Sequence, residues 1–172
     1  MPIILPVKGI HPKFGKNCFI APNATVAGEV IMGDDCTVWF NAVVRGDVNS
    51  ITIGNRTNIQ DGAVIHCTYQ KHKTIIGNNV SIAHNAVVHG CTIHDNVLVG
   101  MGAIVMDGVI IEPECIIAAG AIVLQNTYIE SGSIYAGNPA KFIKKMSNEQ
   151  KEIISRTANN YPMYSKWFQD ND

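Results

Sequence analysis

Three histidines in one stretch of this chain have the residue type and spacing of a metal site. His66, His84 and His89 lie within residues 59–94, IQDGAVIHCTYQKHKTIIGNNVSIAHNAVVHGCTIH, on a background of regularly spaced aliphatic residues. Three neutral imidazoles around a tetrahedral zinc leave one position open, the layout of a catalytic rather than a structural site. Water in that position can have its pKa lowered to about 7, which makes hydroxide available at neutral pH and points to hydrolysis or hydration. The same ligands accept iron(II) or cobalt(II), so zinc is expected first, with iron or cobalt as alternatives.

Whether the three can meet depends on the repeat that carries them. From Ile20 to Tyr135 an aliphatic or similarly bulky residue recurs about every six positions, as in Ile20, Val26, Met32, Val38 and Val44. A small residue usually stands two positions before it, and Gly or Ala often follows, as at Gly33, Gly54, Gly77 and Ala83. Short Ile- and Val-rich runs separated by turn residues fit strands, not a 3.6-residue helical period. Six-residue periodicity is the signature of a parallel β-helix. With three hexads to a triangular coil, the nineteen positions of the series predict about six coils, stacked at the roughly 4.8 Å spacing of paired strands. The expected fold class is therefore all-β.

The period breaks in three places, each beside the histidines. Val44 to Ile53 is nine residues, Ile65 to Ile76 is eleven and Val88 to Ile93 is five. Such departures become loops on one side of a solenoid and often mark its binding face. Counted naively, His66 and His84 are 18 apart and would stack. Corrected for the insertion, Ile65 and Val88 are three hexads apart, so His66 and His89 share a face one coil apart, with Arg45 in the same column. His84 follows Ile82 by two and belongs to the preceding face, with Gln60 and Asp61. The residue after an inward one points outward. One chain thus displays two half-sites, Arg45, Asp47, His66 and His89 on one face and Gln60, Asp61 and His84 on the next. A prism face is too wide for all three histidines of one chain to reach one ion at about 2.0–2.1 Å. A neighbouring chain must complete the site, and packing half against half closes most simply as a homotrimer, two-fold pairing being the other solution.

At 172 residues and a formal charge of -1, one domain without a basic field for nucleic acid or a membrane surface is expected, acting on a small molecule. The start has no signal-peptide pattern and no run is apolar for the roughly 20 residues a span needs, so a cytoplasmic protein is expected. The cysteines show no Cys-x-x-Cys spacing. Cys18, Cys36, Cys91 and Cys115 each stand two before a series member and read as small core residues; Cys67 falls outside that register and reads as a loop residue, with a pocket-lining residue as the alternative. Residues 1–140 are expected as lead-in and repeat, and 141–172 as linker, helix and tail. Ser147 with Gln150 fits a capping box, and Ile153, Ile154, Ala158 and Tyr161 form an apolar stripe through about Asn160. Pro162 is expected to end or kink that helix, leaving MYSKWFQDND as an aromatic tail that covers apolar surface.

At these residues the sequence resembles the gamma-class carbonic anhydrase family, in its short-loop branch. The resemblance rests on Arg45-Gly46-Asp47, Asn58-Ile59-Gln60-Asp61-Gly62, Ile65-His66, the run Ala83-His84-Asn85-Ala86-Val87-Val88-His89-Gly90 and the closing Ala136-Gly137-Asn138-Pro139-Ala140-Lys141. It implies a left-handed β-helix, metal bound by His66 and His89 of one chain and His84 of the next, an interface ion pair of Arg45 with Asp47, and Gln60 and Asp61 positioning water and substrate. It also implies a pocket role for Tyr161. The sequence departs from the family's pattern at Val48, where an acidic residue is usual, and in the loop CTYQKHKT, which replaces an acidic one and offers His72 instead.

The expected activity is reversible hydration of carbon dioxide to bicarbonate by metal-bound hydroxide at subunit interfaces, with proton return as its weak step. Two other readings use the same scaffold. A hexapeptide acyltransferase or acyl-CoA thioesterase would have a catalytic histidine free of metal, and a non-catalytic trimeric assembly subunit would use metal only to hold chains together.

Overall fold

The computed structural model describes residues 1–168 and shows a left-handed parallel β-helix with a C-terminal helix packed along one side. Every member of the predicted series lies in one of three columns. On the first face Val26, Val44, Ile65, Val88, Val105 and Val123 stack in register. Met32, Ile53, Ile76, Ile93, Ile111 and Ile129 form the second face. Ile20, Val38, Ile59, Ile82, Val99, Ile117 and Tyr135 form the third. Ile4 pairs with Val26 and Phe14 with Met32, so the lead-in supplies an incomplete first coil and the turns number about seven, one more than the series predicts.

Burial explains the pattern. Nearly all series residues are closed off from solvent, Val44, Ile65, Val88 and Ile82 completely. Each such aliphatic side chain contributes about 1.5–3 kcal/mol relative to an exposed one. The glycine after the inward residue has a separate cause. A Cβ on Gly54 would stand 2.7 Å from the carbonyl carbon of Gly77 on the next coil, and one on Gly77 2.8 Å from that of His94. Only glycine permits that approach. Beside these glycines the corner is held by a ladder of side-chain oxygens. The amides of Lys16, Asp34, Asn55 and Asn78 donate to Asp34, Asn55, Asn78 and Asp95 respectively, at 2.7–2.8 Å. Each bond satisfies a corner amide that strand pairing leaves over, and each locks one coil to the next.

The breaks in the period do not all become loops. The first is absorbed in one long strand, Val43–Ile53, whose inserted residues sit opposite a register shift between Gly28 and Val30. The second is a tight hairpin in which Thr68 bridges His72. At the third, Gly90 turns with φ 57°.

Three expectations are corrected. Cys67 is not a loop residue: alternation continues past Ile65 and His66, so its side chain turns inward, is buried, and lies 3.1 Å from the Asn49 carbonyl. Lys141–Lys145 is not a linker but an exposed strand antiparallel to Ser133–Ala136. Pro162 does not end the helix, which runs Asn148–Lys166 from a complete capping box at Ser147 and Gln150. The apolar face is what extends it. Tyr161 meets Trp39 edge-on at 5.4 Å, and Phe168, just beyond the helix, packs against Phe19, Trp39 and Phe40. That aromatic contact outweighs the loss of one helical hydrogen bond. The last four residues of the expected tail lie outside the described residues. Among the described residues no helix is long and apolar enough to cross a membrane.

Candidate metal centre

His66 and His89 are paired directly across adjacent coils by the strands Val64–His66 and Val87–His89. Because both precede a turn and follow a fully buried aliphatic residue, both rings project from the first face. Nδ1 of His66 faces Nε2 of His89 at 3.0 Å. The outer nitrogens are also engaged. Nε2 of His66 lies 3.0 Å from Asp47, and Nδ1 of His89 lies 2.7 Å from Asp107.

These contacts constrain the tautomers. An ionised carboxylate only accepts, so each outer nitrogen carries the proton and donates it. In neutral imidazoles the two facing nitrogens are then both lone pairs, 3.0 Å apart. Two acceptors so placed are satisfied by a shared proton or by a metal ion between them. The separation is close to the roughly 3.3 Å between neighbouring ligands that Zn–N bonds of about 2.0–2.1 Å produce in a tetrahedron. The donors therefore fit a metal, with the carboxylates doing what outer partners of metal-bound histidines do, fixing ring orientation and raising basicity.

His84 is not part of this pair. It stands beyond the strand Ser81–Ile82 on the third face, with Nδ1 3.0 Å from Asp61. All three histidines thus have a carboxylate on one nitrogen. Among the described residues no group of three or more His, Cys, Asp or Glu side chains in the single chain could hold a metal ion. Arg45 pairs with Asp47 within the chain, Arg45 about half exposed and Asp47 more enclosed.

The third face adds a cavity of about 360 Å³ between the coils and the helix, with Gln60, His84 and Tyr161 on its wall beside Leu98, Met101 and Ile116. Gln60 is almost fully buried. Its amide nitrogen donates to Asn58 at 2.9 Å, whose own amide donates to Ser81 at 2.8 Å. This chain orients the Gln60 amide, leaving its oxygen as the end available to a ligand. Burial first, then the Asp61 carboxylate, pushes the Tyr161 phenol up to about 12, so it is a donor at neutral pH. His72 lies in the hairpin over Gly90 and Gly108, beside Asp107 and not in this cavity. Val48, in place of an acidic residue, packs partly buried against the core.

Asp107, Thr68, Asn58 and Ser81, which hydrogen-bond to the candidate site residues or to their partners, have no role in the sequence analysis. Asp107 follows Val105 by two, one coil beyond Gly90 and so one step past the His89 column, and Thr68 donates to it at 2.7 Å. Register alone could have raised Asp107; only the side-chain direction joins it to His89.

Burial acts to raise the Asp107 carboxyl, but hydrogen bonds from Thr68 and His89 outweigh it and hold it below the usual range; His66 and Arg45 do the same for Asp47. The unfolded chain therefore takes up these protons first as acid is added. The stability they contribute is complete above the ordinary aspartate value, about 3.9, and is lost as pH falls through the lowered folded values. In chelator-treated protein the urea midpoint is expected to fall below about pH 4, and less steeply in a double variant Asp47→Asn, Asp107→Asn. Equal slopes would contradict the assignment.

Against known proteins, the family description Bacterial transferase hexapeptide (six repeats) matches residues 11–46 and 90–125. A Methanocaldococcus jannaschii protein named Probable carbonic anhydrase is 49% identical over 151 residues, covering 88% of this chain and 94% of that one. The chain belongs to the gamma-class carbonic anhydrase-like family. Gamma carbonic anhydrase 1, mitochondrial, of Arabidopsis thaliana is 46% identical over 155 residues, which are 87% of this chain but 56% of the plant protein. The chain thus spans little more than half the length of the plant members. A solved hexapeptide transferase family protein from Anaplasma phagocytophilum superposes with a TM-score of 0.92 at 37% identity, covering 96% of this chain and 98% of that one. Membership in the gamma-class family accords with the fold, and the carboxylate-backed histidine pair is the feature of the chain that fits a metal.

Proposed function

We propose that this protein catalyses reversible hydration of carbon dioxide at metal sites shared between subunits of a homotrimer, each built from His66 and His89 of one chain and His84 of the next. The observation that carries this is the His66–His89 pair, with its facing lone pairs and its two carboxylates. Zinc is the expected metal, with iron or cobalt accepted by the same donors. When bound, the metal supplies a Lewis acid that makes water nucleophilic at neutral pH.

The residues of the chain provide the rest. Leu98, Met101 and Ile116 give the cavity an apolar wall suited to a small uncharged substrate. The Gln60 oxygen accepts from the attacking water and orients it, and the Tyr161 phenol donates to oxygen as charge develops. Asp61 holds His84 through Nδ1, which leaves Nε2 for the metal. A partner chain is supported by the outward row beside the histidines. Val43, Val64, Val87, Ile104 and Ile122 are all apolar and only half-buried, where a face turned to water would carry polar residues. The acyltransferase reading needs one histidine as a base and gives no role to a second facing it at 3.0 Å.

Stopped-flow hydration assays on protein loaded with zinc, cobalt or, anaerobically, iron test the proposal. Turnover is expected, rising with buffer concentration, because Val48 and the His72 hairpin provide no acidic group beside the cavity to carry the proton away. Gln60→Ala is expected to lower kcat by about 10²-fold, the scale of one lost orienting contact. Absence of turnover with all three metals would remove the enzyme reading and leave the metal reading standing.

A further inference from the structure

The cysteines of the first two coils form an arrangement unrelated to the histidines. Cys36, Cys67, Cys91 and Cys115 are buried, and Cys18 is half-buried. Cys18 heads its corner column, and the incomplete first coil leaves it uncovered. Cys36 lies directly beneath it: the amide of Phe19 donates to the Cys36 carbonyl at 2.9 Å, and Phe19 pairs in register with Thr37. Strand spacing then sets their Cα atoms about 4.8 Å apart, within the roughly 4.4–6.8 Å that a disulfide spans. Both sulfurs turn to the same corner, Cys18 Sγ 3.2 Å from the Gly33 carbonyl and Cys36 Sγ 2.9 Å from that of Gly54.

Cys18 also lines a cavity of about 450 Å³ whose other walls include Pro2, Phe19, Pro22, Phe40 and Phe168. This is an open apolar depression with one half-buried cysteine in its wall and a second, buried one stacked behind it. The environment divides their roles. The neighbouring Cys36 side chain lowers the Cys18 thiol against the opposing effect of burial, while Cys18 and burial push Cys36 up. The half-buried sulfur of Cys18 is thus the one that ionises more readily, and the thiolate is the nucleophile.

We propose that Cys18 and Cys36 are a redox pair that reduces organic hydroperoxides entering the apolar cavity and closes a reversible disulfide. In the first step the Cys18 thiolate attacks the terminal peroxide oxygen; the O–O bond breaks, a proton is taken up, and the products are the Cys18 sulfenic acid and an alcohol. In the second, the Cys36 sulfur attacks the sulfenic sulfur, its thiol proton leaves with the hydroxyl as water, and the S–S bond forms. An external dithiol restores both thiols by exchange and is itself oxidised to a disulfide.

The test uses the full chain, reduced and then treated with cumene hydroperoxide. After alkylation, digestion with trypsin and then Glu-C cuts at Lys16, Glu29 and Arg45 and so separates the two cysteines. The expected product is a linked pair of peptides, 17–29 with 30–45, lighter by two hydrogens and released by dithiothreitol. Cumene hydroperoxide should act faster than hydrogen peroxide, since the chamber is apolar. In Cys36→Ser the reaction should stop at a Cys18 sulfenic acid trapped by dimedone. If both cysteines stay free, if Cys67, Cys91 or Cys115 oxidises as fast as Cys18, or if hydrogen peroxide is equally fast, the proposal fails. The wild-type linkage decides the matter even if the variant does not fold.

Discussion

A one-to-one mixture of His66→Ala and His84→Ala chains, unfolded and refolded together, should recover about a quarter of the wild-type metal content and hydration activity, although each variant alone has almost none. The fraction follows from independent draws. An intact site needs its His66 and His89 half from a His84→Ala chain and its His84 half from a His66→Ala chain, and random assembly satisfies each condition half the time. The geometry motivates the experiment: His66 and His89 face each other at 3.0 Å on the first face, whereas His84 pairs with Asp61 on the third. If all three ligands came from one chain, no mixture could restore a site. Metal analysis of the refolded, size-selected oligomer separates the outcomes without relying on turnover, and sedimentation of the same sample gives the number of chains. No recovery above either parent variant would end the shared-site account.

Asp107→Ala should lower metal affinity by about 10–100-fold, the usual effect of removing an outer partner of a metal-bound histidine. Its carboxylate lies 2.7 Å from Nδ1 of His89 and accepts from Thr68, also at 2.7 Å. Without it, the His89 ring loses the contact that keeps a proton on the outer nitrogen and a lone pair on the inner one. Competition with a chelating dye measures the change. Thr68→Val, which removes only the support beneath Asp107, should produce a smaller loss in the same direction. An unchanged affinity in Asp107→Ala, with an intact fold by circular dichroism, would mean that the carboxylate is merely structural. Protons compete for the same lone pairs, so the affinity of every form should decline with falling pH.

The columns of the β-helix were legible because the repeat is enforced by one physical demand repeated at each coil. An inward site between three close-packed strands accepts an aliphatic side chain and little else, so Ile65, Ile82 and Val88 announce their orientation by type and spacing. The same register argument separates His84 from His66 and His89, since a residue one or two steps from an inward position has its face fixed by alternation. The capping box at Ser147 was legible for a similar reason, being a local motif whose hydrogen bonds form within one turn.

Other features depend on contacts between segments distant in the chain. Pro162 reads as a helix stop by local rules, yet Trp39 and Phe40 supply an aromatic surface that carries the helix to Lys166. Cys67 lies next to a break in the period, where counting fails, and its inward turn is fixed by the strand it continues. The sequence by itself determined the coil, its register and which histidines share a face, because periodic burial constrains each residue separately. The tertiary structure decided that Asp47, Asp61 and Asp107 each back a histidine, which way those rings point, and that an apolar cavity opens beside Cys18. Those are relations between side chains on different coils, and their distances depend on rotamers and stacking that no spacing along the chain encodes.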